Sequence, residues 1–214
     1  MKILIDNGHG VNTGGKCSPD RQLREYAYNR EIATRIVAAL KASGIDAERI
    51  VTEETDISLG ERCRRVNQWC NKLGKSNVLL ISVHVNAAGS TGTWRTAGGW
   101  SAYTTRGKTK SDDVATLLYE SAQALLTKYA DLMKKGKESG VYDQKQKPFR
   151  TDYTDGDPDL EADFYIIKNT ACPAVLTENL FMDNRSDMEF LLSEEGKQTI
   201  TDIHVSAIKK YISK

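Results

Sequence analysis

The sequence predicts an α/β fold: a single domain with a mostly parallel central sheet of about six strands and helices on both faces. Three observations carry this. Short apolar runs alternate with longer segments of helical periodicity, the pattern that yields parallel strands joined by crossover helices. The run Val78–Val85 is nearly all apolar, as expected of a strand covered on both faces. The chain has 214 residues, 39% hydrophobic and 28% charged, which suits one core of ordinary soluble composition.

The elements follow in order. Lys2–Asp6 is an apolar strand that ends in a Gly/His turn. Glu25–Ser43 carries Ile32, Ile36, Val37 and Leu40 at helical spacing, and Ser43-Gly44 stops it. Ile45–Val51 is a second, short strand. Ser58 is placed to cap a helix, with Glu61 as its capping-box partner. Leu59, Cys63, Val66, Cys70 and Leu73 form the buried stripe of that helix. Val78–Val85 and Gly98–Thr104 are the next strands. One long helix is expected from Ser111 to Lys135, on a stripe from Val114 to Leu132. Gly136–Glu161 has no usable period and reads as a long irregular loop, a class that is usually functional or mobile. Phe164–Lys168 and Pro173–Thr177 are the last two strands. A final helix covers Ser193–Ile212, with Ile200, Ile203, Ala207, Ile208 and Tyr211 turned inward.

Charge and cysteine content narrow the function. With 30 basic and 29 acidic residues the net charge is +1, so bulk charge argues for no nucleic-acid and no anionic-membrane partner. No stretch approaches the ~20 apolar residues of a bilayer span, so membrane insertion is not expected. The apolar run at residues 3–5 is far shorter than the core of a secretory signal. A chain with no signal, or one trimmed of it, is the expectation. Cys17, Cys63, Cys70 and Cys172 form no CxxC pair. Cys63 and Cys70 lie on one helix face about 10 Å apart along its axis, too far for a disulfide. They are expected as buried free thiols.

In open α/β sheets function gathers at the carboxyl ends of strands. His9 follows the first strand, His84 closes the Val78–Val83 run, and Glu178 follows Pro173–Thr177. Two imidazoles plus a carboxylate are a recognised zinc ligand set that leaves one position open. Hydrolysis needs a further carboxylate as a base. Spacing alone leaves Glu25, Glu31, Glu53, Glu54, Glu61 and Glu178 open for these two roles. A histidine at a strand end is also often just a hydrogen-bonded surface residue.

Several segments together resemble the type 3 zinc-dependent N-acetylmuramoyl-L-alanine amidases. Asp6-x-Gly8-His9-Gly10 matches the opening turn of that family. Glu25 precedes Tyr28-Asn29-x-x-Ile32-Ala33, and Asp56, Leu59, Arg62 and Asn67 match a helix entry. Ile81-Ser82-Val83-His84-Val85-Asn86-Ala87 and Pro173–Glu178, followed by Phe181 and Asn184, match two strand ends. The resemblance runs nearly end to end. It implies a zinc ion (Zn2+) on His9, Glu25 and His84, with Glu178 as general base and then proton donor. The implied reaction cuts the amide between N-acetylmuramic acid and L-alanine in peptidoglycan. The implied place of action is the cell wall, reached by endolysin-like release or with a signal since removed, and the expected state is a monomer.

Other assignments are finer. Asp6 and Asn86 are candidates to orient a ligating imidazole through its other ring nitrogen; both also suit turn and strand-end hydrogen bonding. Arg62 is expected to be structural, solvated or paired with Asp56, and His204 is expected to be structural. Trp94 and Trp100 flank a Gly-rich stretch and suit either packing or stacking on sugars. Lys145, Lys147 and Arg150 suit either solvation or contact with stem-peptide carboxylates. Two departures from the family pattern stand out: Val11 and Leu180 occupy positions where Gly is usual. The loop at residues 136–161, with no apolar stripe, is expected to be open and to face substrate. Two alternatives compete with the amidase: a zinc peptidase acting on the stem, and a catalytically silent wall-binding module.

Overall fold

The computed structural model describes residues 1–89 and 92–214. Its core is one six-stranded sheet in the order β2-β1-β3-β6-β4-β5. The strands are β1 (Lys2–Asn7), β2 (Ala47–Arg49), β3 (Val78–Asn86), β4 (Ser101–Thr104), β5 (Leu160–Glu161) and β6 (Ala174–Phe181). β2, β1, β3 and β6 run parallel. β4 runs antiparallel to β6, and β5 is parallel to β4. The mostly parallel sheet is therefore as expected, with its one reversal at β4.

The helices are α1 (Glu25–Ala42), α2 (Leu59–Leu73), α3 (Lys110–Leu125), α4 (Thr127–Glu138), α5 (Tyr165–Lys168), α6 (Arg185–Leu192) and α7 (Glu194–Ile212). The alternation of side chains along β1 and β3 divides the core in two. Ile3, Ile5, Leu79, Ile81 and Val83 face α1, α3 and α7. Leu4, Val78 and Leu80 face α2 and α5. Residues 3–5 of β1 and 78–81 of β3 are buried on both sides, which is why these stretches are apolar throughout.

Several elements differ from expectation. The long helix over Ser111–Lys135 is two helices broken at Leu126. Leu125 is exposed while Leu126 is fully buried, so the apolar stripe slips by one residue and a straight helix cannot follow it. Phe164–Lys168 is not a strand. Residues 165–168 form one helical turn that buries Ile166 and Ile167 and leaves Phe164 and Tyr165 exposed. The edge position of the sheet is taken instead by the two-residue β5. On α2 the stripe is Arg62, Cys63, Val66 and Cys70, and Leu59 and Leu73 are exposed. Helix α6 carries no prediction; Asn184 caps it through the amides of Ser186 and Asp187.

The segment between α4 and β5 has no helix or strand, though α4 itself extends into it as far as Glu138. Hydrogen bonds tie its middle to the rest of the fold. Trp100 N–H donates to Pro148, Arg150 N–H donates to Trp100, and the Tyr142 hydroxyl donates to Asp187 at 2.5 Å.

Candidate active site

Three strand ends meet at one edge of the parallel region. β1 leads into Gly8 and His9, His84 lies two residues before the end of β3, and Glu178 lies on β6 in register with His84. His9 has φ of +69°, a conformation most side-chain-bearing residues avoid. Arg62 holds this turn in place. Its guanidinium donates to Asn7 O at 3.0 Å and His9 O at 3.4 Å, and it ion-pairs with Asp6 and with Asp56 at 2.7 Å. Gly8 must lack a side chain, because a Cβ there would run into the His84 ring.

Glu25 opens α1 and is 1% exposed. Its amide donates to Lys16 O, which sets the helix entry. Carboxylate Oε1 accepts from Val85 N–H at 3.1 Å and lies 3.1 Å from His84 Nδ1. Oε2 lies 3.2 Å from His9 Nε2 and is buried without a hydrogen-bond partner. The His9 and His84 rings meet edge to face with centroids 5.1 Å apart. One donor atom from each of His9, Glu25 and His84 lies within 4.8 Å of the other two. No other such three-donor group of His, Cys, Asp and Glu occurs among the described residues.

Charge follows geometry. Burial alone would raise the Glu25 carboxyl, but its contacts with His84 and His9 outweigh burial and hold it well below the usual carboxylate range. Burial works against a charged His84; contact with Glu25 reverses this and raises it. Glu178 stands outside the three-donor group. Burial pushes its carboxyl up to about 7, and its Oε2 has no partner.

A sequence profile described as N-acetylmuramoyl-L-alanine amidase matches residues 3–210. The chain belongs to the N-acetylmuramoyl-L-alanine amidase family. It is 25% identical over 210 residues to N-acetylmuramoyl-L-alanine amidase CwlM of Bacillus licheniformis, covering 98% of this chain and 68% of that protein. It is 26% identical over 216 residues to the endolysin of Bacillus phage SPP1, covering 99% of this chain and 66% of the endolysin. Among solved structures, an N-acetylmuramoyl-L-alanine amidase from Clostridium difficile 630 superposes with a TM-score of 0.74 at 21% identity. The match covers 99% of this chain and 96% of that one. The catalytic domain of CwlV from Paenibacillus polymyxa superposes with a TM-score of 0.72 at 20% identity, covering 100% and 99%.

In this amidase the carboxylates that spacing left open separate cleanly. Glu31 pairs with Arg35 and Lys197, and Glu53 and Glu61 pair with Arg65. Glu54 is exposed. Only Glu25 closes on both imidazoles. Asp6 does not orient a histidine: it pairs with Arg62 and accepts from Ser82 Oγ at 2.6 Å. Asn86 does not either. Its Oδ1 accepts from Ala87 N–H, and its carbonyl accepts from Met182 N–H across the bulge that ends β3.

The supporting contacts come from residues with no such prediction. Asn29 Nδ2 donates to Gly8 O at 3.2 Å and Glu25 Oε1 at 3.4 Å. Asn179 Nδ2 donates to His84 O at 3.0 Å, and Trp100 Nε1 donates to Asn179 Oδ1 at 2.9 Å. Trp100 is fully buried and packs on Tyr119, so it offers no face to a sugar. Trp94 lies under the Arg185 guanidinium, and Arg150 sits over the Phe181 ring. Asn29 precedes Ile32 by one helical turn, and that position was the available signal for its inward direction. Leu180, at a position where Gly is usual, has φ of +64° and is fully buried.

Proposed function

We propose that this chain hydrolyses the amide bond between the lactyl group of N-acetylmuramic acid and L-alanine in peptidoglycan. In this reading His9, Glu25 and His84 hold a zinc ion and Glu178 is the general base. The observation that carries the reading is the convergence of two strand-end imidazoles on the buried carboxylate that opens α1, with Glu25 Oε2 left without a hydrogen bond. A buried, ionised acceptor in that state is costly unless a cation completes it. The donor set of two nitrogens and one oxygen suits zinc and leaves one position open.

Bound there, zinc supplies Lewis acidity that polarises the amide carbonyl and acidifies water. The chain does the rest. Glu178, with an unpartnered oxygen and a raised affinity for protons, takes a proton from the attacking water. It then returns that proton to the alanine nitrogen as the C–N bond breaks. Asn29 and Val85 N–H hold the Glu25 carboxylate, and Arg62 holds the turn that presents His9. Amidases and an endolysin among the relatives support a cell-wall substrate.

Metal analysis combined with digestion of purified peptidoglycan tests this. Wild type should carry one zinc and release stem peptides that begin with L-alanine, leaving glycan without peptide. Glu178→Gln should keep the metal and lose about 10²–10⁴-fold in rate. Products cut inside the stem would favour a peptidase. Undiminished digestion by Glu178→Gln would remove Glu178 from its role, and full activity after zinc removal would remove the metal from the mechanism.

A further inference from the structure

A second unusual cluster lies at the opposite edge of the sheet. Asp159 immediately precedes β5 and is 2% exposed. Its Oδ2 accepts from Thr104 Oγ1 at 2.5 Å. Its Oδ1 is buried and has no hydrogen-bond partner, and Asp157 Oδ1 is in the same state. Burial, and after it the neighbouring Asp157 carboxyl, push the Asp159 carboxyl up to about 8. Two buried acceptors meet this way only with a proton or a cation between them. Asp112, 7% exposed beside the start of α3, adds negative charge nearby. The ion pair that this edge does form, Lys168 with Asp163, involves none of the three.

The sequence around the pair is Asp155-Gly156-Asp157-Pro158-Asp159. It places carboxylates at every second residue of an irregular loop, and Gly156 takes φ of +105° to make the turn. Oxygen donors with no His or Cys select a hard cation. A loop without regular structure suits the large, adaptable shell of calcium better than the strict octahedron of magnesium. We propose that Asp157 and Asp159 bind a calcium ion. Such an ion would clip β5 and the end of β4 together. The site is separate from the one described above: Thr104 lies three residues along β4 from Ser101, the partner of Glu178. With two carboxyl donors, water and loop carbonyls would have to complete the shell. Affinity is then expected in the ~10⁻⁴–10⁻³ M class of extracellular modules.

The test is thermal unfolding of the full zinc-loaded protein, freed of calcium and then titrated with CaCl2 into the millimolar range, with MgCl2 as control. The melting temperature of wild type should rise by about 3 °C or more. Asp157→Asn and Asp159→Asn should show no such rise. Terbium should bind wild type and be displaced by calcium. If buried Asp159→Asn fails to fold, Asp157→Asn, which is partly exposed, carries the comparison. A wild type that does not respond to calcium overturns the proposal, and so does a response of equal size in the variants. A neutral-pH gain in stability for Asp159→Asn with no calcium response also overturns it and assigns the pair to a shared proton.

Discussion

In the parallel region, β2-β1-β3-β6, the strands are apolar inside and the polar residues collect at one end. At the β4–β5 edge the strands are four and two residues long, and polar groups are distributed through the packing itself. Tyr129 and Tyr142 both donate to the buried Asp187, and Thr104 donates to Asp159. The parallel region uses burial for stability and frees its polar side chains for a site. The edge uses its polar side chains to hold loops where strand pairing is short. Breaking a polar contact should therefore cost both stability and activity on one side of the molecule, and stability alone on the other.

The largest effect is expected at Arg62. It is 2% exposed and joins Asp6, Asp56 and two main-chain carbonyls of the His9 turn. Truncation leaves the Asp6 carboxylate buried opposite nothing but Ser82. Arg62→Ala should lose about 3–5 kcal/mol in urea unfolding. Arg62→Lys keeps the charge but cannot span all of these acceptors, and should recover only part of the loss. Zinc affinity should fall in both. Normal stability with normal zinc binding in Arg62→Ala would end the coupling claimed for this side.

The same contrast accounts for what the sequence disclosed. β1, β3 and β6 are buried on both faces, so composition alone reveals them, and position then draws attention to His9, His84 and Glu178. Glu25 lies on a helix, and its place beside the imidazoles depends on the sheet; the family resemblance pointed to it where spacing did not. Arg62 falls on the helical period of α2 beside Val66 and Cys70, yet neither it nor Asp187 reads as buried, because a buried charge looks like a surface charge in sequence. Phe164–Lys168 reads as a strand by composition. Its environment makes it a helical turn, because Ile166 and Ile167 fill the space against α2 and the edge is already taken by β5. At Leu126 a shift of one residue in an apolar stripe separates two helices without any Gly or Pro to mark the break.

His204 offers an intermediate effect on the parallel side, this time through pH. It is fully buried on α7. Nδ1 lies 2.7 Å from Ile200 O, so that nitrogen carries the proton, and Nε2 accepts from the Thr177 hydroxyl at 2.9 Å. Asn179 Nδ2 donates to the same hydroxyl oxygen and to His84 O. Burial lowers the imidazole to about 4 from its ordinary 6.5. The folded state therefore refuses a proton that the unfolded chain accepts. Stability from this group is complete above pH 6.5 and falls away toward pH 4, by up to about 3 kcal/mol. Asp187, raised by burial to about 7, acts in the opposite sense and loses stability as pH rises. Comparing wild type with His204→Gln isolates the histidine: the variant should lose the extra slope between pH 6.5 and 4. Parallel slopes would show that His204 takes up its proton alike in the folded and the unfolded chain, and would overturn this assignment.

The smallest effect, and the sharpest contrast with Arg62, is expected at Tyr142. Its ring fills the space beside Gly98 and Gly136, where a Cβ would collide with it, and its hydroxyl shares Asp187 Oδ1 with Tyr129. Tyr142→Phe keeps the ring and removes one hydrogen bond to an acid that retains Tyr129 and Phe181 N–H as donors. A loss of about 0.5–1.5 kcal/mol is expected, the range for an uncharged hydrogen bond, because burial raises the Asp187 carboxyl to about 7 and its other donors remain. Zinc content and the rate of peptidoglycan digestion should stay at the wild-type level, because no hydrogen bond links Tyr142 to His9, Glu25 or His84. A fall in rate larger than the loss of folded protein would mean that the edge transmits its packing to the site through Phe181 and β6. The division between a stabilising edge and a catalytic parallel region would then have to be redrawn at β6 rather than at β4.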